Sequence, residues 1–174
     1  MGQEPFEALV AAHHGEIHRY LRRVTSGSSE ADDLSQETFL RAYRAYRALP
    51  PDANVRAWLF AIATNLSRNH FRGEKRKTRA HATVRLTRSE LDGGPEGEAL
   101  FNEARGLIDG IVDHLPFKQR SAFVLRKIHD LDYETIAGSL DCSVDTARAH
   151  VFQALRKIRR GLDGRELPRT EGPR

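Results

Sequence analysis

Cysteine is almost missing from this chain: Cys142 is the only one in 174 residues. That excludes an internal disulfide and a cysteine zinc cluster, and makes a reducing cytoplasm the default compartment. No apolar run approaches the roughly 18–20 residues that span a bilayer, so membrane insertion is not expected. The opening MGQEPFEALV lacks the basic region and apolar core of a signal peptide. Phe6 also breaks the N-myristoylation pattern, which wants Ser or Thr there. There are no internal repeats. What remains is 39% hydrophobic and 30% charged residues, enough for one ordinary domain or two small ones with little core to spare. A net charge of +4 and a sequence pI of about 9.5 suit a polyanionic partner.

The stretch from Asp130 to Arg160 is the most informative. Asp132 is placed to cap a helix in which Tyr133, Ile136, Ala137 and Leu140 repeat at helical spacing. Asp141 tolerates a left-handed turn, and Ser143 can cap a second helix. In that helix Val144, Ala147, Val151, Leu155, Ile158 and Leu162 form one apolar stripe. Asp145, Ala149, Gln153 and Arg156 point away from it, with Arg148 and Phe152 on the flank. A short helix, a turn and a longer helix with polar and basic groups opposite its core face suggest a DNA-reading helix-turn-helix. The plain alternative is a helical hairpin with a solvated charged face.

Upstream, Phe6, Leu9, Val10, Ile17, Leu21 and Val24 mark an amphipathic helix over Pro5–Val24, followed by a turn at TSGSS, Thr25 to Ser29. His14 and His18 are four apart, but no carboxylate at a matching offset completes a zinc motif, so no metal or cofactor is expected. A second helix, about Glu30 to Leu49, begins with Glu30, Asp32, Asp33 and Glu37 and ends with Arg41, Arg44 and Arg47. That order complements the helix dipole. Asp33 and Glu37 also share a face, with Gln36 and Arg41 nearby, as a protein-docking surface would. Acid/base catalysis by these carboxylates lacks any accompanying nucleophile or metal signal.

PPDAN, Pro50 to Asn54, breaks this helix, and Asn54 can cap the next, Val55 to about Arg76. There Val55, Trp58, Leu59, Ile62, Ala63 and Leu66 form an apolar stripe, opposite Asn65, Arg68, Asn69 and Arg72. Aromatics interleaved with bases resemble a surface that stacks single-stranded nucleic acid. Equally, Trp58 and Phe60 can be core. Periodicity fades from Lys77 to Glu98, where LDGGPEGE has linker composition. A helix from about Leu100 to Leu115 packs Leu107, Ile108, Ile111, Val112 and Leu115. Pro116 starts another, carrying Phe117, Val124, Leu125 and Ile128. The last dozen residues read as a frayed tail.

Taken together, DDLSQETFLRAYRA, RAWLFAIATNLSRNHFR and LPFKQRSAFVLRKIHDLDYETIAGSLDCSVDTARAHVFQALRKIR resemble bacterial RNA polymerase sigma factors of the small extracytoplasmic-function (ECF) branch. The resemblance covers roughly Pro5 to Leu162. It implies an all-α protein of two small helical domains joined by a flexible linker, the second with a helix-turn-helix. Residues 5–76 would be sigma region 2, 77–99 the linker, 100–162 sigma region 4 and 163–174 a disordered tail. Asp32, Asp33, Gln36, Glu37 and Arg41 fall where the family docks on core RNA polymerase. Leu49 falls where a flipped base of the −10 element is captured, and Asn65, Arg68, Asn69 and Arg72 where the melted strand is followed. Arg126 matches a phosphate-contacting arginine. Arg148, Ala149, Phe152 and Gln153 match recognition-helix positions that meet the −35 duplex, and Asp145 and Arg156 lie on the same face.

Some positions depart from the family pattern. Leu49 stands where an aromatic is frequent, Asp145 replaces a frequent Gly and Ala147 a frequent Val. Ala149 and His150 replace Ser and Arg. Asp145 could accept from a cytosine N4 amine but would also repel phosphate. The resemblance implies a cytoplasmic, non-enzymatic transcription initiation factor whose partners are core polymerase, promoter DNA and an anti-sigma factor. The rival reading is a free-standing helix-turn-helix regulator.

Overall fold

A computed structural model describes residues 5–25, 27–80 and 99–164. Seven helices make up these residues, with no strand among them: α1 Phe6–Thr25, α2 Ser28–Tyr46, α3 Val55–Ala80, α4 Ala99–Asp113, α5 Phe117–Lys127, α6 Tyr133–Leu140 and α7 Val144–Asp163. The first three form one helical unit and the last four another.

Several boundaries move from the sequence expectation. The TSGSS turn is shorter than it reads, because Ser28 and Ser29 already belong to α2. That helix also stops at Tyr46, with Ala48 and Leu49 donating back to the Ala45 and Tyr46 carbonyls in a tightened last turn. Residues 77–80 of the expected linker extend α3, and Ala99 opens α4. The rest of the linker, 81–98, lies outside the described residues. So does the tail from 165, whereas Asp163 ends α7.

The predicted caps form. Asn54 Oδ1 accepts from Ala57 N at 3.0 Å at the start of α3. Pro116 stands immediately before α5, where a missing N–H removes no helical bond. Ile17, Tyr20, Leu21 and Val24 of α1 are sealed against Leu59, Phe60 and Ala63 of α3.

That core does not end at the first unit. Val124, Leu125, Leu131, Ile136 and Leu140, from α5, α6 and the loop between them, belong to the same continuous apolar cluster. Polar groups close the seam. Buried Arg120 of α5 donates to the carbonyl of Val24 in α1 at 3.0 Å, and to those of Asp113 at 2.6 Å and Leu115 at 3.2 Å. His129, in the loop after α5, is buried with its ring 4.8 Å from that of Phe60 and 5.9 Å from that of Tyr20. Burial pushes its pKa down to about 4. Arg23 of α1 pairs with Asp109 of α4.

A second cluster joins α4 to α7 through Val112, Leu115, Ala154 and Ile158. Gly161 permits this approach, since a Cβ there would lie 2.7 Å from Ile111 Cδ1. Two residues expected inside are exposed. Ile128 and Leu155 lie on apolar stripes wider than the surfaces that actually cover them.

Candidate nucleic-acid and polymerase interface

The helix-turn-helix is built by side chains that close its backbone bonds locally. Asp132 Oδ1 accepts from Thr135 N at 2.7 Å and starts α6. That main-chain bond is the chief reason its carboxyl is held below the usual range. At the other end Asp141 is left-handed, φ 52°, a conformation usually left to glycine. Its N–H reaches Gly138 O at 3.4 Å, and Cys142 N reaches Ala137 O at 3.1 Å, which satisfies the last carbonyls. Ser143 Oγ then accepts from Thr146 N at 3.1 Å and starts α7. The left-handed Asp141 backbone and the Ser143 cap therefore define the turn between the two helices, while Asp132 fixes where the first of them begins.

On α7, Ala147, Val151, Ala154 and Ile158 are buried, while Asp145, Arg148, Ala149, Phe152, Gln153 and Arg156 are all exposed. The α7 members of the predicted −35 set thus share one solvent face, whereas Arg126 stands on α5. Phe152 is 64% exposed, a large apolar ring left in water opposite the core stripe. Arg148 donates to Asp145 Oδ1 at 3.2 Å. Gln153 Oε1 accepts from Gln119 Nε2 of α5 at 2.7 Å. Gln119 was missed in the sequence, because a partner 34 residues away leaves no local pattern. Arg126, half-buried on α5, donates to Asp130 Oδ1 and to the Leu131 carbonyl, each at 3.1 Å.

The first unit presents two further polar surfaces. Asp33 and Gln36 are exposed on α2, and Glu37 Oε1 accepts from Arg41 Nε at 2.6 Å. Asp32 turns toward α1, its Oδ1 2.6 Å from His18 Nε2. Between α1 and α2 runs an open groove of about 460 Å³, lined by Val10, His14, His18, Asp32, Gln36 and Phe39. The rings of His14 and His18 stack at 6.0 Å. Among the described residues, no group of three His, Cys, Asp or Glu is placed to hold a metal ion.

On α3, Asn65, Arg68, Asn69 and Arg72 follow one another at helical spacing, and all but Arg68 are exposed. Arg68 donates to Asn65 Oδ1 at 2.7 Å and reaches across the seam to the Leu140 carbonyl at 3.5 Å, with the Asp141 carboxylate 3.8 Å away. A predicted strand-following arginine therefore rests on the turn of the helix-turn-helix. Leu49 packs partly buried against the core. The aromatics of α3 do not form the exposed stacking surface that their sequence allowed. Phe60 is fully buried, edge-on to Tyr20 at 5.4 Å, and Trp58 packs against the same core.

Residues 9–77 match the family Sigma-70 region 2, and residues 105–158 match Sigma-70, region 4. The chain belongs to the sigma-70 family of RNA polymerase sigma factors, in its extracytoplasmic-function branch. Among its relatives, the ECF RNA polymerase sigma-E factor of Escherichia coli (strain K12) is 28% identical over 174 residues, which is 95% of this chain and 88% of that protein. The corresponding protein of Haemophilus influenzae is 27% identical over 164 residues, covering 90% and 86%. Two solved folds are similar. The sigma factor RpoE of Bartonella quintana, in complex with the anti-sigma factor NepR, has a TM-score of 0.77 at 20% identity, over 92% of this chain and 98% of that one. CnrH, in complex with the cytosolic domain of CnrY, has a TM-score of 0.67 at 25% identity, over 92% and 89%. Among the described residues, no helix is long and apolar enough to cross a membrane.

Proposed function

We propose that this ECF sigma factor docks on core RNA polymerase through Asp32, Asp33, Gln36, Glu37 and Arg41. The α3 row of Asn65, Arg68, Asn69 and Arg72, together with Leu49, follows the melted −10 strand. The α7 face reads the −35 duplex in the major groove. The proposed division places region 2 at 5–76, the linker at 77–99, region 4 at 100–162 and a tail at 163–174. The observation that carries this reading is the coexistence of two exposed polar faces, on α2 and α7, in one chain whose two halves match regions 2 and 4 in order.

Neither domain holds a promoter strongly by itself, and polymerase supplies avidity by fixing both at one spacing. Unstacked −10 bases trapped by the first domain stabilise the open strand without covalent chemistry, so the protein is not itself an enzyme. It acts where polymerase and chromosome are, in the cytoplasm. Arg68 Nη1 rests on the Leu140 carbonyl at 3.5 Å, so a −10 phosphate taken by that nitrogen competes with this contact. The two similar folds are each of a complex, one with an anti-sigma factor and one with CnrY. By that analogy an anti-sigma factor is the proposed regulator of this chain. A free-standing regulator is disfavoured because it would have no use for a region 2.

Reversal of charge at Asp33 tests the docking surface. Asp33 is exposed near the start of α2, where its helix-dipole interaction is worth only about 0.3–1 kcal/mol. Asp33→Arg should therefore fold with at most a modest loss of thermal stability, while affinity for core polymerase and promoter-dependent transcription fall sharply. A folded variant that binds core and transcribes as the wild type does would remove Asp33 from the interface. A wild type with no affinity for core polymerase would overturn the whole reading.

A further inference from the structure

Two arginines from different helices converge on one ring. The Arg126 guanidinium carbon, from α5, lies 5.2 Å from the centroid of Tyr133, and that of Arg148, from α7, lies 5.4 Å from the same centroid. Tyr133 is the first residue of α6, directly after the capping Asp132, and is itself partly buried against the core. Its backbone is therefore fixed by the cap and its ring by packing. Each arginine has one carboxylate partner, Asp130 for Arg126 and Asp145 for Arg148, and both carboxylates are more than 90% exposed. Exposed ion pairs of this kind hold a long side chain weakly and exchange readily with a phosphate. An aromatic face within about 6 Å holds a guanidinium without occupying its N–H donors. The ring thus helps to order both groups without using their donors, although Arg126 Nη1 is also held by the Leu131 carbonyl at 3.1 Å.

We propose that Tyr133 is a positioning residue for −35 readout: its ring sets Arg148 for a base edge and Arg126 for the backbone before DNA arrives. This rests on the reading of α7 as the duplex-reading helix. Ordering a long side chain on binding opposes affinity by roughly three- to ten-fold, so two arginines ordered beforehand should be worth on the order of ten-fold or more. The gain falls mainly on the sequence that Arg148 distinguishes, because a bidentate base contact tolerates less misplacement than a phosphate contact.

The probe is a duplex selected from a randomised pool by the full-length chain with core polymerase, compared with a scrambled duplex of equal length. Tyr133→Leu and Tyr133→Met keep an apolar side chain and lose the aromatic face, whereas Tyr133→Phe keeps it. The expected result is about ten-fold weaker binding of the selected duplex for Leu and Met, a much smaller loss on the scrambled one, and restoration by Phe. Within Arg148→Ala, the further change Tyr133→Leu should cost clearly less than in the wild type, because only Arg126 is left for the ring to position. Thermal melting confirms that each variant is folded, and Met substitutes for Leu should Leu fail. Equal losses on both duplexes, or an undiminished loss within Arg148→Ala, would make Tyr133 merely structural. A loss for Phe as large as for Leu would make the hydroxyl a direct contact. Either overturns the proposal while leaving α7 as the reader. A wild type that selects no duplex overturns the reading of α7 and the proposal with it.

Discussion

The Arg56 guanidinium donates through Nη2 to the main-chain carbonyl of His129 at 2.8 Å. It thereby ties the first turn of α3 to the loop that precedes the helix-turn-helix. Its Nε is held in turn by Glu16 of α1, 2.9 Å from Oε2. Burial alone would raise the Glu16 pKa, but bonds from Arg56 and His13 outweigh it and leave the carboxyl lowered. A charged Glu16, a charged Arg56 and a neutral His129 thus make one unit at the seam.

The pH dependence of stability follows from His129. Its pKa in the folded chain is about 4, against an ordinary 6.5, chiefly because burial disfavours the imidazolium. Glu16 favours the charged form, while Arg56, Arg19 and Arg23 oppose it. Between these two values the unfolded chain binds the extra proton, so the stabilisation is complete above about pH 6.5 and is lost as pH falls toward 4. The full effect is on the order of 3 kcal/mol. Urea melts from pH 7 to pH 4 should lose stability over this window, and His129→Phe should flatten that part of the curve.

Arg120 offers a test of the seam at neutral pH. Its guanidinium is buried, donates to three carbonyls and lies 5.6 Å from the Phe71 ring. Arg120→Met retains most of the stem and removes the donors, leaving buried carbonyls short of partners at the ends of α1 and α4. The expected loss is about 2–4 kcal/mol. Chemical denaturation reads it directly, and a loss below about 0.5 kcal/mol would mean that water replaces the guanidinium.

The two caps of the helix-turn-helix should each matter by about 1 kcal/mol when Asp132 or Ser143 is changed to Ala. Asp132 carries a pH signature that Ser143 lacks. Its carboxyl is lowered by the Thr135 N–H bond, so its contribution is present above the ordinary carboxylate range and is lost as pH falls through the depressed value. Thermal melts of both variants at neutral and acidic pH should converge on the wild type for Asp132→Ala only.

The parts of this fold that were legible in the sequence are those written over four or fewer residues. Asp132, Asp141, Ser143 and Asn54 each serve a backbone group three or four positions away, so residue type and spacing suffice to place them. The α7 face was legible for the same reason, since helical period alone separates Ala147 and Val151 from Arg148 and Phe152. Phe60 was not, because an aromatic among arginines fits either a core or a stacking surface, and only the position of Tyr20 decides. Arg120, His129 and Gln119 were invisible. Gln153, Arg56 and Val24, the distant partners of Gln119, His129 and Arg120, lie 34, 73 and 96 residues away, and a buried arginine or histidine looks in sequence like a solvated one. Ile128 and Leu155 err in the opposite sense, apolar residues that no element covers.

The shared core has a consequence for connectivity. Cohesion between the halves comes from Tyr20, Phe60, Leu125, Leu131, Ile136 and their neighbours, none of which lies in the stretch joining Ala80 to Ala99. A cut in that stretch removes a covalent path and leaves the core of the described residues whole. The two pieces would remain a non-covalent pair, at a local concentration no longer enforced by the chain. Conversely, a gene fragment encoding only the last four helices leaves bare the apolar patch that α1 and α3 now cover. Such a piece calls for a partner, or for polar replacements on that patch, before it behaves as a separate domain.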